Sequence, residues 1–211
     1  MHQKKINRPV TPGLVLIILL FSTLSSLAQP AKKIVPQEAM QATYEKIKTP
    51  YKYGMVLMPT ADSLMIDCPS GFRRNSMWFM TYIVFDGTGY ETWLAESDDL
   101  LHWDTKGRLM SFSDSTDWDM NQKAGYVALR DHQWGGSYNW NSYDNKHWMT
   151  YFGGTSEGYE AGLLSIGVAW TEKNPVIPHE WQRLDHPVLM PTDEDVRWWE
   201  NNTMYKSSVI W

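Results

Sequence analysis

Trp78-Phe79-Met80-Thr81-Tyr82, followed after a short gap by Gly89-Tyr90-Glu91-Thr92, is the stretch from which the architecture can be read. A second copy follows: His147-Trp148-Met149-Thr150-Tyr151, then Gly158-Tyr159-Glu160-Ala161. Both parts recur 69 residues on, Met80 to Met149 and Glu91 to Glu160. One offset held across two separate motifs marks a repeated structural unit. Each copy is an alternating aromatic strand, a turn and a second strand, which is a hairpin pattern.

Working outward, the first unit is expected over about Leu64 to Leu109. Its strands lie near Ser70 to Arg74, at Met77 to Phe85, at Tyr90 to Glu96, and at Leu101-His102-Trp103. Turns fall at Asn75-Ser76, at Asp86 to Gly89 and at Asp98-Asp99. Four consecutive antiparallel strands of even spacing predict a β-propeller blade. Tyr53 to Met58 is expected as an entry strand. The second unit is expected from Ala124 to Leu129 through Tyr138 to Tyr143, His147 to Phe152, Leu163 to Thr171 and Trp181 to Leu184. A third starts at His186-Pro187-Val188-Leu189. Blades bury their faces against neighbours and close a ring of about four or more. The expectation is therefore an all-β propeller, present as a fragment of about two and a half blades.

The N-terminal stretch has a different texture. Lys4, Lys5 and Arg8 precede the apolar run Gly13 to Leu24, and Ser26-Leu27-Ala28 offers a small-x-small cleavage site. Residues 1–28 thus predict a secretory signal, and a secreted or periplasmic protein. The run is too short for a comfortable membrane span, so no membrane association is expected after cleavage. An uncleaved anchor is the alternative. Residues 29–50 are expected as linker and one short helix, since Met40, Tyr44 and Ile47 recur at helical spacing between Pro36 and Pro50. Residues 51–211 are expected as the N-terminal part of the propeller domain.

The 211 residues carry a formal net charge of -5, and no basic stripe argues for nucleic acid as a partner. Cys68 is the only cysteine, so no intrachain disulfide can form. It lies within a strand pattern, without a His/Asn context for a nucleophile. Most of the 12 Trp are core filler, but some suit a sugar-lining groove, because a flat ring with a polar edge matches a sugar's apolar face.

Three acids stand one per unit near the start of each: Asp67, Asp131 and Glu200. Carboxylates at matching places on successive inner strands would converge on the central channel, and glycoside hydrolysis needs such a set. His132, Trp134, Trp198 and Trp199, with Arg197 beside them, are the expected substrate contacts. Glu91 and Glu160 recur at one offset, which favours a structural role for both. No organic cofactor and no metal ligand set is expected. A structural cation in the channel would find His132 as a lone ligand.

The Asp67-Cys68-Pro69-Ser70 motif and the string Tyr90 to Trp103 resemble the five-bladed β-propeller glycosidases, with glycoside hydrolase family 43 and its relatives nearest. Ala95, Ser97, Asp99, Leu100 and Trp103 form the A-x-S-x-D-L-x-x-W pattern that carries most of this resemblance, joined by Arg130-Asp131 and Trp199-Glu200. The resemblance covers residues 51 to 211. It implies an inverting glycoside hydrolase with Asp67 as general base, Asp131 as the pKa-modulating, orienting carboxylate and Glu200 as general acid. The chain departs from the family pattern where Cys68 separates Asp67 from Pro69. The 69-residue offset also sets Gly136, not Asp131, opposite Asp67. Two rivals stand beside this reading. One is a carbohydrate-binding propeller without catalysis. The other is a propeller glycoside phosphorylase, for which Arg130, Arg197 and Lys206 are the available phosphate-holding bases.

Overall fold

The computed structural model describes residues 34–49, 52–114 and 117–210; the signal-like stretch lies outside them. The chain divides into two units, Met1–Lys52 and Tyr53–Trp211. In the first, helix α1 spans Gln37–Ile47, with Pro36 at its N-cap and the Lys48 N–H closing onto the Tyr44 carbonyl at 2.8 Å. Its apolar stripe, Met40, Tyr44 and Ile47, is exposed.

The second unit is β-sheet. Strands β1 (Met65–Arg74), β2 (Met77–Phe85), β3 (Tyr90–Ser97) and β4 (Asp104–Met110) form one antiparallel meander. Strands β5 (Gln122–Val127), β6 (His147–Gly154), β7 (Ser165–Thr171) and β8 (Gln182–Arg183) form a second. From Phe79 onward β2 is buried at every position, as its nearly unbroken apolar run requires of a strand covered on both faces. A single parallel bridge, Tyr90 to Gln122, joins the meanders into one sheet. Approach there is close: a Cβ on Gly89 would lie 1.7 Å from the Asn121 carbonyl oxygen, so only glycine fits.

Several expected strands are placed differently. Tyr53 to Met58 is irregular and mostly exposed, and Leu101 to Trp103 is a bend before the true fourth strand, β4. Local β-propensity in those stretches finds no partner strand, and propensity alone does not make one. Tyr138 to Tyr143 contributes isolated bridges only. Val188-Leu189 pairs with Ile166 of β7 rather than opening a new unit. The next inner segment is Met204 to Val209, which bonds to Leu164, to the Thr150 hydroxyl and to Leu129.

The 69-residue offset holds for β2 and β6 alone. Met80 pairs with Ala95 and Met149 with Ala169, so Ala169-Trp170-Thr171 is the counterpart of Ala95-Glu96-Ser97. Ser97 Oγ accepts the N–H groups of Asp99 and Leu100, and Thr171 Oγ accepts that of Lys173, so each closes the turn after its strand. Glu91 and Glu160 are not equivalent. Glu91 lies buried in β3, whereas Glu160 sits in the long β6–β7 loop with φ +50°. On the inner edge, Asp67 pairs with Ile83 and Ala124 pairs with Phe152, which stands 69 residues after Ile83. The position facing Asp67 across the repeat is therefore Ala124, neither Gly136 nor Asp131.

Candidate functional site

The site is built on the first turn of β1. Asp67 pairs with Ile83 and Ser70 with Thr81, so Cys68-Pro69 is a bulge of one extra residue. Pro69 has no N–H to give the ladder, and Cys68 takes φ +55° to absorb the kink. The bulge buries the Cys68 thiol and leaves Asp67 exposed, with Oδ1 accepting the Cys68 N–H at 2.6 Å.

Beneath this bulge lies an aromatic floor from both meanders. Tyr90 meets Phe152 edge-on at 5.4 Å, Tyr205 stacks on Phe152 at 4.5 Å, and Tyr159 meets Phe85 edge-on at 5.6 Å. The Tyr90 hydroxyl accepts the Glu160 N–H at 3.2 Å, which fixes the β6–β7 loop over the floor. The Tyr205 hydroxyl donates to the Glu160 carboxylate; burial first, then this bond, raises its pKa. Burial likewise raises Tyr126, whose hydroxyl neighbours the Cys68 sulfur. The pKa of Lys206 is raised, first by the neighbouring Cys68 side chain and then by the nearby carboxylates of Asp67 and Glu160.

Lys206 also lines a cavity of about 480 Å³ together with Glu200, Trp199, Asp195 and Tyr205. Glu200 is half-buried in a turn closed by its own N–H to the Arg197 carbonyl at 2.8 Å. Its Oε1 accepts the Trp199 indole N–H at 3.2 Å, and Arg197 lies over the Trp199 ring at 5.3 Å. Trp198 is 80% exposed.

Asp131 is placed elsewhere. Its Oδ2 accepts the hydroxyl and N–H of Ser137, both at 2.7 Å, and its Oδ1 accepts the Gln133 N–H at 3.0 Å. These bonds, that of the Ser137 side chain foremost, hold its pKa down at about 2. The Asp131 N–H bonds to Asn139, which bridges to Arg73 near the far end of β1. At about 3.3 Å per residue, Asp67 and Arg73 stand roughly 20 Å apart along the strand. His132, which receives a 2.9 Å contact from Arg130, and Trp134, 88% exposed, belong to that remote loop. The structure therefore groups Asp67 with Lys206 and the Glu200 cavity, and sets Asp131, His132 and Trp134 apart.

Sequence reading gave Glu160 a structural role, did not single out Tyr126 or Tyr205, and considered Lys206 only as a phosphate-holding base. The Gly-Tyr-Glu repeat was the available signal, but equal spacing concealed that one copy is strand and the other loop. Among the described residues, no group of three or more His, Cys, Asp or Glu is placed to hold a metal ion, and no helix is long and apolar enough to cross a membrane.

Against solved structures the chain matches a complex of BT0996 with RGII at 49% identity and TM-score 0.80, covering 84% of this chain and 53% of that one. A glycoside hydrolase matches with the same four values. This chain resembles the propeller-type glycoside hydrolases. It spans about half the length of these two relatives. Zg3597, a family 117 glycoside hydrolase produced by the marine bacterium Zobellia galactanivorans, shares the fold at TM-score 0.52 and 13% identity, over 69% of this chain and 45% of that one. No protein-family model and no curated protein matches.

Proposed function

We propose that the chain supplies two blades and part of a third to a five-bladed propeller that hydrolyses glycosidic bonds with inversion. The observation that carries the chemistry is the nearness of the Asp67 and Glu160 carboxylates to Lys206, which lines the cavity that holds Glu200. Asp67, exposed at the bulge, is suited to activate water, and Glu200 to protonate the leaving oxygen. Glu160 adds a third carboxylate near Lys206. Asp131, ionised and bound within its own loop, keeps only a loop-shaping role in this scheme. Trp198, Trp199 and Arg197 offer the sugar contacts. RGII in the BT0996 complex supports a complex carbohydrate as substrate class. Residues 1–28 support action outside the cytoplasm, after signal cleavage.

The test is turnover on glycan substrates by four variants of the protein. Asp67→Asn, Glu160→Gln and Glu200→Gln are expected to lose about 10²–10⁴-fold in kcat while retaining substrate binding. Asp131→Asn is expected to keep kcat within about tenfold, a loss below that range. Equal losses in Asp131→Asn and Asp67→Asn would overturn the site assignment. A wild-type protein that binds glycans and turns none over would favour the non-catalytic binding propeller.

A further inference from the structure

A second cavity lies at the opposite edge of the sheet from β1, where β8 and the connection between the meanders meet. It measures about 490 Å³ and has Trp118, Trp170 and Trp181 among its lining residues. Trp118 is held against Tyr151 by stacking at 5.6 Å and 24°, and Trp170 lies beside Trp148 at 5.8 Å. Both are half-exposed, so ring area remains open to the cavity. Trp181 is only 3% exposed and is clamped between Trp140, at 5.4 Å, and His179, at 6.2 Å. Its Nε1–H is buried and finds no acceptor among the described residues. Trp181 also lines an adjoining cavity of about 300 Å³, while its Nε1 is closed off from open space, so the ring forms part of the cavity wall and its indole N–H reports on the wall without touching a ligand.

The charges decide what kind of ligand fits. Asp117, Asp119, Glu180 and Asp185 line the cavity against Lys173 and Arg183. Arg183 is already committed, 3.3 Å from Asp117 and 3.3 Å from Asp119. Carboxylates outnumber cations, so an anion is disfavoured. A neutral polyhydroxyl ring has the required features: a flat apolar face for indole and hydroxyl donors for carboxylates.

We propose that this cavity is a second, non-catalytic binding site for a neutral sugar unit, placed to hold a glycan chain while another part of it occupies the Asp67 cleft. The choice of glycan over other polyols rests on the glycosidase reading. The experiment titrates methyl glycosides of galactose, arabinose and rhamnose into ¹⁵N-labelled Asp67→Asn protein and follows the Trp181 indole N–H resonance. At least one sugar is expected to move that resonance saturably. Trp170→Ala is expected to weaken the response about tenfold, the loss of one good ring contact. Should Trp170→Ala fail to fold, Gln182→Ala at the exposed rim is expected to weaken it as well. In active protein, either rim variant is expected to raise KM for polymeric substrate and leave kcat on short substrates unchanged. A Trp181 resonance unmoved by every sugar, with wild-type turnover intact, overturns the second site and leaves the hydrolase reading standing. A saturable Trp181 shift in a protein that hydrolyses nothing supports the site and removes the hydrolase reading.

Discussion

Lys123 is fully buried in β5, and its environment fixes how stability responds to pH. Its Nζ donates to Ser113 Oγ at 2.8 Å and to the Asp119 carbonyl at 2.9 Å, with Asp119 Oδ1 at 3.6 Å. Burial outweighs the pull of Asp119 and brings its pKa down from 10.5 to about 8. Between these values the unfolded chain binds a proton that the folded chain has released. Stability from this group therefore rises with pH through the window, and is flat below it. Tyrosines whose folded pKa is raised lose stability as the unfolded chain nears pH 10 and act oppositely, so the lysine is read from pH 8 to 9. Urea unfolding of wild type is expected to gain about 1 kcal/mol from pH 8 to 9. Lys123→Met, which keeps length and removes the charge, is expected to show no such gain. A slope that persists in the variant would assign the effect to another group.

At the level of elements, the β1–β2 hairpin turns on Asn75 and Ser76, with φ of +50° and +71°. Positive φ at both central residues is the signature of the turn whose twist matches paired strands, and its preferred sequence is Asn-Gly. Ser76 pays the steric cost of a Cβ in that region. Ser76→Gly is expected to stabilise the protein by about 0.5–1 kcal/mol, net of glycine's entropy in the unfolded chain. A rise of about 2–4 °C in Tm would register it; an unchanged or lowered Tm would show the serine to be unstrained. This hairpin was legible in the sequence, because a polar turn between Phe72 and the apolar run that starts at Met77 leaves one register that buries Phe72 opposite Phe79. The connection from β5 to β6 was not. Its 19 residues, Ala128 to Lys146, read as a strand near Tyr138 but fold as a loop stapled by the Asp131 carboxylate. Asp131 looked catalytic because it stood near the start of a repeat, and its partners Gln133 and Ser137 became apparent only on folding.

On the scale of the whole molecule, the two meanders are joined at Thr92. Its hydroxyl donates to the Lys123 carbonyl and accepts the Gly125 N–H, each at 2.7 Å. Gly125 eases the approach, since a Cβ there would stand 2.6 Å from the Met110 methyl carbon and 3.0 Å from Thr92 Oγ, and both side chains would have to shift. Thr92→Val keeps the shape but leaves a buried N–H and a buried carbonyl unpaired. The expected cost is about 2–3 kcal/mol, read as a lowered urea midpoint. A midpoint unchanged by the substitution would mean that packing alone holds the meanders together. The amino-acid sequence by itself determined the β-class, the paired aromatic strands and the likeness to propeller glycosidases, because period-two burial and two-residue turns are local properties of the chain. Which carboxylates face one another was decided only by tertiary structure. Hairpin loops of 4 and 10 residues, and of 2 and 19, follow strands of like pattern, so constant sequence spacing does not carry constant position. Glu160 lies near Tyr205 and Lys206, and Asp131 is bound within its own loop, because bulge, loop length and the packing of one meander on the next set side-chain position in three dimensions.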